Sequence, residues 1–381
     1  MASTDQLTGV QSKDFLIHPQ AGVSVRIYLP KLSDSTNKLP LLTNLFMSHN
    51  KGRKDAASYI CKCLTLRFNP NHQFLFHLIC NGFFFFTNFF DLFPFFRIYK
   101  DGRVQRLQIA SDIVPADADD PKSAFRSKDV TISADPTVSV RIFIPSSADL
   151  NRKLPLILYV HGGAFCFESA FNLQYHTLVG SLAAKANAVA VSVEYRLTPE
   201  HPIAACYDDC WDALRWVATH VNRDGPEPWL NKHADLDRIC LAGGSAGANI
   251  CHHLAARAGS SAEQLDGVKV VGMALIHPFF GDGGDDRLWK FLCSDQTRPV
   301  RPSVEEPAKL PCGRVKVFLA EEDFLKFGGR NYDDDLRRSR RNGAVETVEH
   351  VGEGHVFHLK KPQCEKALDL LEQLSTFINL D

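Results

Sequence analysis

Residues 241–250 read LAGGSAGANI and contain a G-x-S-x-G pattern centred on Ser245. A short, mostly apolar stretch (238–242) leads into the pattern, and residues 246–257 follow it with apolar positions at helical spacing and no proline. Glycines permit a strand to turn sharply into a helix, because side chains at the corner would collide. A serine held at the start of that helix suits a nucleophile, since the helix dipole and free backbone N–H groups favour the negative charge formed when an ester is attacked.

The composition around this pattern is that of a globular enzyme. Of the 381 residues, 45% are hydrophobic and 23% are charged, which is enough apolar sequence for a large core. A net charge of −1 provides no basic surface for nucleic acid. The eleven cysteines include no C-x-x-C pair, so we expect reduced thiols and no zinc knuckle. The first residues lack the basic and apolar regions of a secretory signal, and we expect a cytoplasmic protein.

The N-terminal part of the chain contains an internal repeat. Residues 12–41 resemble residues 127–156 without a gap; both copies contain VSVRI and, eleven residues later, KLPL. Both copies alternate apolar and polar residues, as a half-buried strand does. The match occurs once, so the chain is not a solenoid. We interpret residues 1–42 as a partial repeat of the N-terminal strands of the domain that follows.

Residues 43–90 fit neither copy of the repeat. They are rich in phenylalanine, with an unbroken run at 83–86, and polar residues interrupt the apolar stretch 74–90. That stretch falls short of the ~20 apolar residues that a membrane span needs, so we do not predict one. Our hypothesis is that translated non-coding sequence joins a truncated first copy to a complete second copy. If the insert is genuine, its many phenylalanines predict disorder with a tendency to aggregate, or an interaction surface.

From Asp91 onward, strand-like and helix-like stretches alternate. Strands are predicted at 138–144, 154–160, 188–193, 238–242, 268–276, 314–320 and 345–349, and helices at 175–187, 204–222, 246–257 and 363–378. The stretch 154–160 is almost continuously apolar, which is typical of a strand covered on both faces. Such alternation predicts an α/β fold with a mainly parallel sheet flanked by helices.

Two further stretches sit at the ends of predicted strands. Strand 154–160 ends in His161-Gly162-Gly163, where backbone N–H groups can approach a substrate oxygen. Gly162 and Gly163, with the N–H of Ala246, are therefore our candidates for an oxyanion hole.

Strand 314–320 ends in Glu321-Glu322-Asp323. A carboxylate there can orient a histidine and stabilise its charged form, and the pattern alone does not choose among the three.

The candidate base is His355, in the glycine-flanked stretch GEGHVF (352–357). It would take the proton from Ser245 and return it to the leaving alcohol. The order serine, then acid, then histidine along the chain is typical of α/β-hydrolases and not of other serine hydrolase folds. This chemistry requires no metal and no cofactor.

Seven motifs resemble one protein family. They are FFRIYKDGRV (95–104), HGGAFC (161–166), EYRLTPEHP (194–202), GSAGAN (244–249), IHP (276–278), EDFL (322–325) and GEGHVF (352–357). Through them, residues 91–381 resemble the plant carboxylesterases of the hormone-sensitive-lipase-like branch of α/β-hydrolases. The resemblance implies an α/β-hydrolase domain with an N-terminal lid, Ser245 as nucleophile, His355 as base and Asp323 as the acid. It also implies hydrolysis of small or medium acyl esters through an acyl-enzyme.

The chain departs from the family pattern at three places. Ala164 stands where the family usually has a third glycine, Gly244 stands where it often has aspartate, and the stretch 293–310 is shorter than usual. Two alternatives within the same fold remain open. One is a lyase similar to 2-hydroxyisoflavanone dehydratases; the other is a non-catalytic binder similar to gibberellin receptors, which have lost the histidine that is present here as His355. We expect a small-molecule ester as the partner, and neither nucleic acid nor a membrane.

Overall fold

The structure is a computed structural model. It describes residues 89–380, except 93, 109, 118–122, 148–151, 261–264, 282–286, 294–301, 303–305 and 340. Before residue 89 it describes the backbone of four strands, β1 (Ala2–Thr4), β2 (Val10–His18), β3 (Val23–Pro30) and β4 (Thr43–Asn44), which form one sheet. The insert predicted at 43–90 therefore lies almost entirely outside the described residues. The chain divides into two compact units, 1–91 with 99–101 and 92–98 with 102–381.

A small sheet precedes the main one. Its strands are β5 (Phe89–Leu92), β6 (Phe96–Tyr99) and β7 (Val104–Arg106). Strands β6 and β7 are antiparallel, and the turn between them contains the Asp101-Gly102 pair, a dipeptide that favours hairpin turns.

Eight strands form the main sheet. They are β8 (Phe125–Ala134), β9 (Thr137–Pro145), β10 (Leu154–Val160), β11 (Val189–Glu194), β12 (Ala234–Gly244), β13 (Val270–Ile276), β14 (Arg314–Ala320) and β15 (Ala344–His350). Their order is β8-β9-β11-β10-β12-β13-β14-β15. Strand β9 is antiparallel to both neighbours, and every other pair is parallel. The predicted mainly parallel sheet is confirmed.

Eight α-helices are described. They are α1 (Leu173–Ala186), α2 (Ile203–Ala218), α3 (Pro228–His233), α4 (Ala246–Ala258), α5 (Arg287–Leu292), α6 (Lys326–Arg338), α7 (Phe357–Lys360) and α8 (Glu365–Asn379). Helix α6 was not predicted, because Gly328 and Gly329 break its helical pattern. A Cβ on Gly328 would lie 2.0 Å from the backbone oxygen of Gly281, so this glycine permits close packing that the sequence does not reveal.

The two faces of the sheet are covered by different helices. Leu156, Leu158 and Val160 of β10 pack in a core with α2 and α4. Ile157 and Tyr159 of the same strand pack in a second core with α1 and α8. Alternate residues of a strand point to opposite faces, so a strand buried on both sides must be apolar throughout, as the sequence of β10 is.

The winding of the sheet creates a crevice beside β10. From β10 the chain passes through α1 to β11 on one side, and then returns to β12 on the other side. Loops that leave adjacent parallel strands in opposite directions open a crevice at the carboxyl ends of those strands, where ligands of α/β proteins bind. Gly162 follows β10 and Ser245 follows β12, so both lie at this crevice.

The repeat seen in the sequence also appears in the backbone pairing. Strands β2 and β3 pair with Asp14 opposite Arg26, and β8 and β9 pair with Asp129 opposite Arg141. In both hairpins the register shifts two residues after the aspartate. The two stretches thus form the same hairpin, while the origin of the first by duplication stays a prediction.

Within the described part of the chain, none of the helices combines the length and the apolar character needed to cross a bilayer. The cytoplasmic location expected from the sequence stays a prediction.

Candidate active site

Ser245 occupies the sharp turn between β12 and α4. Its backbone is strained, with φ 53° and ψ −117°, and its N–H donates to the carbonyl of Ile276 at 2.8 Å. The turn is tight because two glycines allow it. A Cβ on Gly247 would lie 2.1 Å from the carbonyl oxygen of Val160, and one on Gly243 would lie 2.6 Å from the backbone of Gly247. Strain of this kind, held in place by surrounding structure, is typical of a nucleophile presented above a sheet.

A chain of hydrogen bonds joins the three residues predicted from the sequence. The Oγ of Ser245 lies 3.0 Å from Nε2 of His355, and Nδ1 of His355 lies 2.8 Å from Oδ2 of Asp323. The second oxygen of Asp323 accepts from the N–H of Leu325 at 2.8 Å. A carboxylate can only accept, so the geometry indicates an imidazole protonated at Nδ1 that accepts the serine proton at Nε2. The His355 side chain is 17% exposed and that of Asp323 is 1% exposed.

The structure distinguishes among the three acids that the strand-end pattern left open, and it places beside His355 the one that the family resemblance implied. Asp323 is buried and bonded to His355, whereas Glu321 and Glu322 are exposed. Glu321 accepts from the N–H of Gly352 at 2.7 Å, which connects the two loops but does not involve the histidine side chain. The choice follows from the turn after β14, which directs only the third acid inward.

The loop between β10 and α1 (residues 161–172) carries the candidate oxyanion donors, and we call it the oxyanion loop. Its hydrogen bonds differ from the sequence prediction at one residue, Gly162. The N–H of Gly162 donates to the hydroxyl of Tyr175 at 3.0 Å, so it is already engaged and is not a free oxyanion donor as expected from the sequence. Instead Gly162 provides space, because a Cβ there would lie 2.9 Å from the carbonyl oxygen of Gly244. The N–H groups of Gly163 and Ala246, and also that of Ala164, form no hydrogen bond with the described residues. These three groups can donate hydrogen bonds to an oxygen on which negative charge develops.

Buried polar side chains support the oxyanion loop from below. The ring of His161 stacks on Tyr195 at 4.1 Å, and the Tyr195 hydroxyl donates to the carbonyls of His161 and Gly162 at 3.0 Å each. Glu194 accepts from the hydroxyl of Ser169 at 2.8 Å and from the N–H of Ala170 at 2.6 Å. Burial raises the pKa of Glu194 to about 7 and lowers the pKa of His161 to about 4. His161 is therefore neutral and acts as structural support.

A fourth polar residue, His277, lies beside the hydrogen-bonded chain. It follows β13 directly, is 1% exposed, and its Nδ1 accepts from the N–H of Val356 at 3.1 Å. The sequence analysis used this histidine only as part of a family motif. The sequence signal that could have identified it is a histidine placed immediately after a buried central strand.

One group of possible metal ligands is found among the described residues. One side-chain ligand atom from each of His277, Asp323 and His355 lies within 4.8 Å of the others. A cation there would compete with the hydrogen bond between His355 and Asp323, so we assign no metal role to the group.

Residues of the predicted N-terminal lid contact the oxyanion loop. Leu92 and Phe96 belong to an apolar cluster with Cys166. The guanidinium of Arg106 donates to the carbonyl of Cys166 and, through two nitrogens, to Glu200 at 2.7 and 2.8 Å. These contacts connect the small sheet to the loop after β10. Its role as a lid stays a prediction.

Comparison with known proteins identifies similar chains along most of this sequence. Residues 157–298 match the α/β hydrolase fold family. Probable carboxylesterase 1 of Arabidopsis thaliana is 39% identical over 313 residues, which cover 76% of this chain and 96% of that protein. A 2-hydroxyisoflavanone dehydratase of Glycine max is 38% identical over 314 residues, covering 76% and 98%. A hyperthermophilic esterase from the archaeon Pyrobaculum calidifontis has a TM-score of 0.55 at 26% identity, covering 66% of this chain and 85% of that chain.

Proposed function

Because this chain belongs to the plant carboxylesterase family, in the hormone-sensitive-lipase-like branch of the α/β-hydrolases, we propose that it is a serine carboxylesterase acting on small or medium acyl esters. The observation that carries the proposal is the continuous chain of hydrogen bonds from Ser245 through His355 to Asp323. An imidazole bonded on one side to a hydroxyl and on the other to a buried carboxylate is arranged to activate a nucleophile.

The first half of the reaction makes an acyl-enzyme. Oγ of Ser245 bonds to the ester carbonyl carbon while Nε2 of His355 takes the hydroxyl proton, and Asp323 stabilises the imidazolium. The negative charge moves to the carbonyl oxygen, which accepts hydrogen bonds from the N–H groups of Gly163 and Ala246, assisted by Ala164. Removing one such donor typically costs about 10²–10³ in rate. The imidazolium then protonates the leaving alcohol as its bond to the acyl carbon breaks.

The second half releases the acid. Water attacks the acyl carbon while His355 takes one of its protons, and the bond to Oγ of Ser245 breaks. The proton returns to the serine, so that one ester and one water become one acid and one alcohol. Every step uses side chains and backbone groups of this chain.

The test is hydrolysis of p-nitrophenyl acyl esters of increasing chain length by the full chain. We expect Ser245→Ala to lose at least about 10⁴ in kcat, and Asp323→Asn to lose about 10⁴. Glu322→Gln is the matched control, because it changes the exposed neighbour of the acid, and it should keep wild-type activity. Equal damage from Glu322→Gln and Asp323→Asn, or an active Ser245→Ala variant, would contradict the proposed mechanism.

A second candidate is a dehydratase activity, because the similarity to the Glycine max 2-hydroxyisoflavanone dehydratase nearly equals that to the Arabidopsis carboxylesterase. Incubation with a 2-hydroxyisoflavanone separates the two: conversion to the isoflavone without ester turnover would favour the lyase. A non-catalytic binder is disfavoured by His355, which lies within hydrogen-bonding distance of Ser245.

A further inference from the structure

Two consecutive residues at the end of β13 contact all three parts of the hydrogen-bonded site. The carbonyl of Ile276 accepts from the N–H of Ser245 at 2.8 Å. The N–H of His277 donates at 2.9 Å to the carbonyl of Phe318, in the strand that leads to the acid. Nδ1 of His277 accepts at 3.1 Å from the N–H of Val356, the residue after the base. Ser245, the strand β14 that leads to Asp323, and the loop that carries His355 (residues 351–356, the base loop) are thus all hydrogen-bonded to the dipeptide Ile276-His277.

The contact with the base loop is the one that depends on a side chain. Both His277 and Val356 have left-handed backbones, each with φ 48°. For a β-branched valine this conformation is costly and persists only where other contacts impose it. The hydrogen bond from the Val356 N–H to the imidazole is such a contact, and it lies one residue from the His355 side chain.

We propose that His277 is a positioning residue, which fixes the His355 imidazole relative to Ser245 by accepting the Val356 N–H at Nδ1. His277 does not touch substrate; it acts through the backbone of the base loop. The site tolerates little error in this placement, because an ångström of misplacement can cost about 10² in rate.

The surroundings of His277 keep it in the form that can accept. Desolvation by burial, followed by the nearby His358, His355 and His350, holds its pKa well below the usual value. The ring is therefore neutral, and because Nδ1 accepts, its proton lies on Nε2. Nε2 has no hydrogen-bond partner among the described residues. The ring packs 5.5 Å from Phe357 and 5.4 Å from His358, but an apolar ring would pack equally well, so packing does not explain the imidazole.

The test compares His277→Asn with His277→Gly in the full chain. Both residues tolerate a positive φ, and both remove the ring packing, but only asparagine offers a side-chain oxygen near the place of Nδ1. We expect the glycine variant to lose about 10- to 100-fold in kcat with KM nearly unchanged, and the asparagine variant to stay within about threefold of wild type. If the glycine variant does not fold, His277→Ala takes its place with the same expectation.

A second readout does not depend on the proposed esterase function, on which the kinetic readout rests. The proton shared by His355 Nδ1 and Asp323 gives a downfield imidazole resonance in NMR spectra. We expect this resonance to weaken or shift in His277→Gly and to remain in His277→Asn. If the two variants behave alike in kcat and in this resonance, His277 serves only packing and the proposal is overturned. If the wild type hydrolyses no ester, the resonance alone decides the positioning role.

Discussion

Several residues with a positive φ, none of them glycine, lie at the candidate site, among them Ser245, Ala164, His277 and Val356. A positive φ costs a residue that has a Cβ about 1–2 kcal/mol, so each of these positions carries strain that the surrounding structure must hold in place. For Ser245 the strain accompanies the sharp turn between β12 and α4. Ala164, in the oxyanion loop, carries the same kind of strain, and glycine at this position would relieve it.

Ala164→Gly should raise the free energy of unfolding by about 0.5–1 kcal/mol. Glycine adopts the φ of 51° found here without strain. The relief of strain exceeds the cost of the greater conformational entropy that glycine has in the unfolded chain. Urea denaturation of both proteins measures the change. Ala170→Gly is the control: Ala170 is a buried alanine of the same loop without a positive φ, and its replacement should lower stability. A loss of stability in Ala164→Gly as well would contradict the prediction.

Gly244→Ser should raise the free energy of unfolding by about 0.5–1.5 kcal/mol. The hydroxyl of Tyr159 is buried without a hydrogen-bond partner among the described residues. A Cβ on Gly244 would lie 3.8 Å from that hydroxyl and 3.9 Å from the carbonyl oxygen of Ile276, both at ordinary contact distance. A serine hydroxyl can reach the oxygen of Tyr159. The neighbouring substitution Gly243→Ala should instead lower the free energy of unfolding by about 1–3 kcal/mol. The Cβ of the new alanine would collide with the backbone of Gly247. Denaturation midpoints that move together in the two variants would refute this difference.

At the scale of elements, the oxyanion loop depends on the end of β11. Glu194 closes that strand and accepts two hydrogen bonds from the loop, at Ser169 and Ala170. Burial raises its pKa to about 7 from an ordinary value of 4.5. The folded state therefore binds a proton more tightly than the unfolded state does. The stability contributed by Glu194 is complete below about pH 4.5 and is lost as the pH rises through 7.

Glu194→Gln should make the protein less sensitive to pH between 5 and 8, since glutamine keeps an acceptor and cannot ionise. A raised pKa of this size corresponds to roughly 3 kcal/mol at most of stability lost by the wild type across that range. Urea denaturation at pH 5 and pH 8 measures how the free energy of unfolding changes with pH, which is the slope compared here, in the wild type and in Glu194→Gln. Glu200→Gln, at an exposed carboxyl, should keep the wild-type slope. An unchanged slope in Glu194→Gln would mean that the carboxyl titrates elsewhere.

At the scale of the whole molecule, every residue of the candidate site lies in one of the two compact units. That unit, residues 92–98 with 102–381, contains the eight-stranded sheet and both of its helical layers. A domain with its own hydrophobic core can fold alone.

Residues 91–381 expressed alone should therefore unfold in one cooperative transition and hydrolyse p-nitrophenyl esters with the kcat of the full chain. Calorimetry and steady-state kinetics on both proteins test this, with Ser245→Ala in the short chain as the control for contaminating esterases. An insoluble or inactive short chain beside an active full chain would mean that the first ninety residues complete the domain.

The sequence alone determined the α/β class, the sharp turn at Ser245 and the order of the three site residues along the chain, and it led to the proposal that His355 is the base. These features depend only on the linear sequence: on apolar periodicity, on glycines at fixed spacing and on the order of the motifs. Helix α6 was missed, because the glycines that permit its close packing resemble helix breakers.

Only the tertiary structure decided which loop N–H groups are free and that His277 accepts from the base loop. The strand-end pattern alone did not choose among the three acids; the family resemblance implied Asp323, and the structure places that acid beside His355. Each of these depends on contacts between residues on different structural elements. Asp323 is selected by a turn that buries one acid of three, and Gly162 is engaged by Tyr175 from a neighbouring helix. Residue identity specifies what a group can donate or accept, but only the packing of distant elements decides which partner lies within 3 Å.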